Sequence, residues 1–172
     1  MKTLITNIFI LTMTVTAITT SRATSKNNLI TPSSEHTARE ILAALRSNTS
    51  DEYVALYPTL EEFHHMMTAN AHVYGEFLND AKRDFADDYV TGQLPALREA
   101  FDKIVTEGKQ RNIDWKTIQY VGIEMEEKET WDLKPVPFTI VFLSNGKKYR
   151  LCLQKAFVLN GQWKVSSELV LL

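Results

Sequence analysis

FTIVFLSNGKKYRLCLQKAFVLNGQWKV, residues 138–165, holds two Asn-Gly pairs, Asn145-Gly146 and Asn160-Gly161, each between β-rich apolar runs. Both central residues of a type I′ turn need positive φ, which Asn-Gly adopts at little steric cost. Two such turns predict a three-strand antiparallel meander: Phe138 to Leu143, Lys148 to Leu159, and a last strand through Trp163. Side chains alternate along a strand, so Tyr149, Leu151 and Leu153 face one way and Arg150, Cys152 and Gln154 the other. The alternation fails at Ala156-Phe157-Val158, which predicts a bulge or burial on both faces. In the last strand Trp163, Val165, Ser167 and Leu169 alternate with Lys164, Ser166 and Glu168, and the tail is apolar to Leu172.

Upstream of the meander, Ile118 to Met125 alternates as a further strand, with Tyr120, Gly122 and Glu124 on one face and Val121, Ile123 and Met125 on the other. Before Ile113 the period becomes helical. Ala38, Ile41, Leu42 and Leu45 recur at helical spacing after a candidate capping box, Thr37 with Glu40. Ser47-Asn48-Thr49-Ser50 breaks that helix, and Tyr53, Leu56 and Tyr57 fit a short turn before Pro58. Thr59 and Glu62 form a second capping box, followed by a long stripe: Leu60, Phe63, Met67, Ala71, Tyr74, Leu78, Ala81 and Phe85. This predicts one helix as far as Thr91-Gly92, with Gly75 as a kink or close contact. A further helix spans Leu94 to Glu107, with Pro95 in its first turn and Gly108 as its stop. The fold class is therefore α+β: N-terminal helices (37–110) packed on one face of a four-stranded antiparallel meander sheet (113–172).

Met1 is followed by Lys2, a mostly apolar run from Leu4 to Ile18, and small residues at Ser21 and Ala23; no acid precedes Glu35. That layout predicts a signal peptide over 1–23, and hence a secreted or periplasmic protein with no stable membrane anchor in its mature form. The apolar run falls short of the ~18 residues a span needs. Residues 24–36 read as a flexible lead-in. The rest forms one domain of ordinary size. Removing 1–23 takes away Lys2 and Arg22 and no acid, leaving 17 basic and 21 acidic residues. A mildly acidic export product is a poor partner for nucleic acid. Glu124, Glu126, Glu127 and Glu129 form the densest acidic patch, read as a solvated strand end. Cys152 is the single cysteine, so no intramolecular disulfide forms; mid-strand, it reads as a buried structural thiol.

Gly-rich phosphate loops, paired-cysteine sites, serine elbows and H-E-x-x-H are all absent from the sequence, which removes several common enzyme classes and leaves no cofactor to expect. Glu61-x-x-His64 and Glu62-x-x-His65 have the spacing at which a carboxylate and an imidazole share a metal on one helix. His72 lies on the His65 face, but roughly 10 Å further along the axis at about 1.5 Å per residue. No second Glu-x-x-His exists, so a solvated or structurally paired cluster is expected rather than a metal site. An enclosed sheet face could instead hold a ligand or an acid/base pair; Tyr120, Glu124, Arg150, Gln154 and Glu168 are the strand polars in reach. Of these Tyr120, Arg150 and Gln154 are the candidate ligand contacts, together with Trp131. Trp131 shares a loop with Pro135 and Pro137 and reads as a buried loop residue or an exposed anchor. Trp115 and Trp163 read as core or sheet-edge packing.

The segments Leu56-Tyr57-Pro58-Thr59-Leu60-Glu61-Glu62-Phe63, Asn112-Ile113-Asp114-Trp115 and Asn160-Gly161-Gln162-Trp163-Lys164-Val165 resemble those of small exported bacterial proteins. The order of helices before a curved antiparallel sheet is similar to NTF2-like and cystatin-like cone folds. Those folds host isomerases, dehydratases and plain binders, so the resemblance implies no particular chemistry. The helical half is longer than a minimal NTF2-like domain. The expectation is an exported, non-catalytic binding protein for a small apolar molecule or an envelope protein. The alternatives are a cofactor-free NTF2-like enzyme using a pocket carboxylate or His, and a structural or interaction module.

Overall fold

A computed structural model of the chain describes residues 34–125, 135–166 and 168–172. The expected signal peptide, most of the lead-in and Trp131 lie outside the described residues. Both Asn-Gly pairs take positive φ as a type I′ turn requires: 52° and 73° at Asn145 and Gly146, 51° and 77° at Asn160 and Gly161. They join strands β2 (Val136–Ser144), β3 (Lys147–Leu159) and β4 (Gln162–Val165) as a meander, and β1 (Gln119–Met125) pairs with the far side of β2. The architecture is α+β, with every described helix preceding the strands.

Two irregularities set which residues face the helices. In β1, Tyr120 pairs with Phe142 and Gly122 with Val141, so Val121 is an extra residue. The bulge puts Tyr120 on the face of Ile123 and Met125, and separates it from Glu124, its expected neighbour. In β3, Gln154 and Lys155 bulge opposite Pro137, which has no N–H to give to the ladder. The last strand breaks at the same level: β4 pairs with β3 up to Ala156↔Val165, and β5 (Leu169–Leu171) resumes at Leu153↔Leu169. The single final strand expected from the alternation is therefore two short strands along one edge of β3.

Helix α1 (Ser34–Ser47) is already formed at Ser34, so the expected start near Thr37 is corrected. Thr37 is buried inside the helix, next to the fully buried face of Ala38, Ile41, Leu42 and Leu45. Asn48, at φ 55°, ends it. Short α2 (Ser50–Val54) buries Tyr53 against Phe101, with ring centroids 5.7 Å apart. The helix α6 (Leu94–Gln110) runs through Gly108 and stops only before Asn112, at φ 62°. Gly108 is not the expected stop because it serves a close approach. A Cβ there would stand 2.1 Å from the Trp115 ring, whose Nε1 donates to the Val105 carbonyl at 3.0 Å. Helices α1, α2 and α6 share one core with Phe138, Ile140, Phe142, Leu151 and Leu153.

The largest departure lies between α2 and α6. The stripe from Leu60 to Phe85 forms a hairpin, not one helix. α3 (Leu60–Ala69) starts at the expected capping box of Thr59 and Glu62. The chain then turns through α4 (Ala71–Tyr74) and a 3₁₀ turn (Gly75–Phe77) and returns as α5 (Leu78–Asp88). Gly75 sits at φ 56°, ψ −133°, a region essentially restricted to glycine. The apolar period survives the reversal, which is why the sequence alone reads as continuous. The hairpin closes on its own small core of Phe63, Met67 and Phe85, with Phe63 and Phe85 centroids 4.7 Å apart. A π-helical turn (Tyr89–Gln93) leads from it into α6.

Candidate functional site

The Leu151–Leu153 face of β3 meets the helices, since both side chains are fully buried in the main core. Arg150 and Gln154 are exposed on the opposite face, and Cys152 is half-buried there. Neither Arg150 nor Gln154 can line a helix–sheet cleft, and Cys152 is not the core thiol expected. Arg150 instead pairs with Glu124 across β2 on the outer face. Tyr120, turned inward by its bulge, lies at the margin of α1, with the Arg39 guanidinium 4.1 Å from its ring centroid. Burial and the Glu35 carboxylate raise the Tyr120 pKa, while Arg39 opposes them. That is a packed, stacked tyrosine rather than a poised acid. Glu168 is exposed, and its charge raises the pKa of Tyr53, second to burial.

The histidines of α3 and α4 do not converge. His64 Nε2 donates to the Lys82 carbonyl at 3.2 Å, and His65 and His72 are exposed. Among the described residues no three His, Cys, Asp or Glu side chains gather where they could hold a metal ion. His64 is thus a structurally paired histidine that ties α3 to α5. Lys82 adds a second tie, donating to the Thr68 hydroxyl at 2.6 Å.

Two open surface grooves flank the start of α3. One, of about 480 Å³, runs between the hairpin and the Asn160 turn, past Glu61, His64, His65 and Lys82. The other, of about 550 Å³, lies between α1, α2 and β4, past His36, Glu40, Glu52 and Trp163. Between them stands an ion pair that the sequence did not signal. Lys164, only 8 % exposed, reaches Glu62 with Nζ 3.0 Å from Oε2. In an alternating strand Lys164 reads as an outward polar residue. The one hint was the lost alternation in β3, because Lys164 pairs with Phe157, where both faces are covered. Burial pushes the Glu62 pKa up, but the Thr59 N–H and Lys164 outweigh it and hold the carboxyl below its ordinary value. That is opposite to the shift a general acid near neutrality needs.

At the far end of the hairpin Val73 and Phe77 are 59 % and 64 % exposed. Both fall off the apolar stripe by which the hairpin packs. Glu76 adjoins Phe77 in the chain, and Asp80 and Asp84 follow along α5, both paired with Arg83. No helix among the described residues is long and apolar enough to cross a membrane.

These features define a two-layer α+β fold with a buried core between its layers and an attached helical hairpin. Comparison with family models, with curated proteins and with solved structures finds no match to the chain.

Proposed function

We propose that this is an exported, non-catalytic binding protein whose ligand is another protein, met at the tip of the α3–α5 hairpin. One observation carries the reading: Phe77 is the most exposed large apolar side chain among the described residues, and Val73, on the other side of the Gly75 turn, is exposed as well. An exposed aromatic on a shaped turn is a typical anchor for a partner's pocket. Gly75 supplies the backbone conformation that presents it. Fully buried side chains fill the helix–sheet layer, which favours a protein over a small apolar molecule in a cleft. Glu76 next to Phe77 and the mildly acidic balance of the chain favour a partner with a basic rim over an anionic membrane. Export rests on the composition of residues 1–23. Kinship with the cone folds belongs to the same proposal and is supported by the order of elements.

The test is site-specific photo-crosslinking in cells that export the protein, with a photoreactive phenylalanine analogue at position 77 or at exposed position 121. A discrete adduct from 77, weakened by Val73→Ser and not formed from 121, is expected. No adduct, or the same adducts from both positions, refutes the reading. Saturable binding of one anilinonaphthalene sulfonate per folded chain would favour the small apolar ligand instead.

A further inference from the structure

The hairpin and the body are separate packing units. Phe63, Met67 and Phe85 form the hairpin core, with Leu60, Leu78 and Ala81 around them, apart from the main core. Its principal contacts are those of α3, α4 and α5 with one another and with the π turn. Tyr57 packs against both cores. The chain enters the hairpin at Pro58-Thr59, in extended backbone at φ −69°, ψ 160°, and leaves through the π turn at Tyr89–Gln93. Local π geometry inside helical runs often marks a functional adjustment point.

Two hydrogen bonds sit on these crossing points themselves. Tyr89 donates to the Pro58 carbonyl at 3.0 Å, and Tyr57 donates to Gln93. They pin the hinge without spanning it. Glu62–Lys164 is different, because it joins α3 to β4. An open groove separates the rest of the hairpin from the Asn160 turn. Both charges are largely shielded, with side chains 10 % and 20 % exposed. Losing either partner leaves the other charge poorly solvated, which is where ion pairs have large effects.

We infer that the α3–α5 hairpin is a hinged arm that turns about Pro58-Thr59 and the π turn, and that the Glu62–Lys164 ion pair is the latch holding it against β4. Tyr57 also packs on Phe63 at a centroid distance of 5.5 Å, but at the hinge itself, so the ion pair is the tie away from the hinge whose loss frees an arm that meets a partner at its tip. The geometry stands independently of the proposed partner.

The test uses spin labels in a Cys152→Ser chain, at Asn79→Cys on the arm and Lys109→Cys on α6. A second pair, at His65→Cys and Asn79→Cys, lies inside the arm. Electron–electron distance distributions are measured with and without Glu62→Gln or Lys164→Met. Glutamine can retain the capping box with Thr59, so Glu62→Gln removes the charge and keeps the helix start. Expected is a single arm-to-body distance in the parent, and a second, longer population in both variants, raised about tenfold, with the intra-arm distance unchanged. Unchanged arm-to-body distances in both variants overturn the latch. Broadening of the intra-arm pair as well overturns the rigid arm, because the hairpin then melts rather than swings.

Discussion

Gly108→Ala is the sharpest test of the core. Position 108 lies inside α6, where alanine is favoured over glycine by about 1 kcal/mol in an exposed helix. Helix propensity alone therefore predicts stabilisation. The packing predicts the reverse. The added Cβ would meet Trp115 Cζ2, Cε2 and Nε1 at 2.1, 2.5 and 2.7 Å. The indole cannot yield cheaply. It is buried, packed against Phe142 at a centroid distance of 5.7 Å, and held by its hydrogen bond to Val105. Overpacking of this kind costs about 1–3 kcal/mol. Displacing the ring far enough to orphan its N–H costs about 1–3 kcal/mol more. Set against the propensity gain, Gly108→Ala destabilises the protein by about 1–5 kcal/mol, against the ~5–15 kcal/mol of an ordinary domain. Urea unfolding followed by circular dichroism measures it. In a Trp115→Phe background, where the ring is smaller and has no N–H, the cost falls below about 1 kcal/mol, a coupling expected for residues in contact. A Gly108→Ala protein as stable as its parent refutes the argument.

Three further outcomes follow from the electrostatics. Glu62 has a folded pKa below its ordinary value of 4.5, so its contribution to stability is full above that pH and lost as the pH falls through the folded value. Acid unfolding of Glu62→Gln therefore starts from lower stability and shows a shallower pH dependence below pH 4.5 than the parent, measured by urea midpoints across pH. Tyr53 and Tyr57 are raised well above their ordinary value of 10.0, mainly by burial, with Glu168 adding at Tyr53 and Tyr89 and Asp88 at Tyr57. Their contribution is full below pH 10.0 and lost above it, so phenolate absorbance titrates late and together with alkaline unfolding; Tyr53→Phe removes part of that coupling. Arg150→Ala, which breaks an exposed pair with Glu124, changes the urea midpoint by less than the equivalent of about 1 kcal/mol. A larger loss would mean that the outer sheet face carries more than a solvated ion pair.

How far the sequence reached depends on whether the deciding interactions were local. Asn145-Gly146, Asn160-Gly161 and the Thr59–Glu62 capping box name their own backbone geometry within four residues, and all three appear as read. The signals that misled are those with two local solutions. The stripe from Leu60 to Phe85 keeps its period whether the helix continues or doubles back, and only the packing of Phe63 on Phe85 separates the two. Gly108 reads as a helix stop until the Trp115 ring is placed against it. Tyr120 changes face through one bulged residue, Val121, whose side chain carries no mark of it.

By itself, then, the sequence determined an α+β domain: helices first, a meander after, and the phase of each long strand up to its bulges. Those properties follow from φ preferences and side-chain period, which act between near neighbours. Tertiary structure alone decided which face of β3 is interior, and so kept Arg150 and Gln154 out of the helix–sheet layer. It also brought Lys164 to Glu62 and folded the Leu60–Phe85 stripe into a hairpin with Phe77 at its end. These depend on contacts between residues far apart in the chain, where no local preference distinguishes the alternatives and burial of the whole makes the choice.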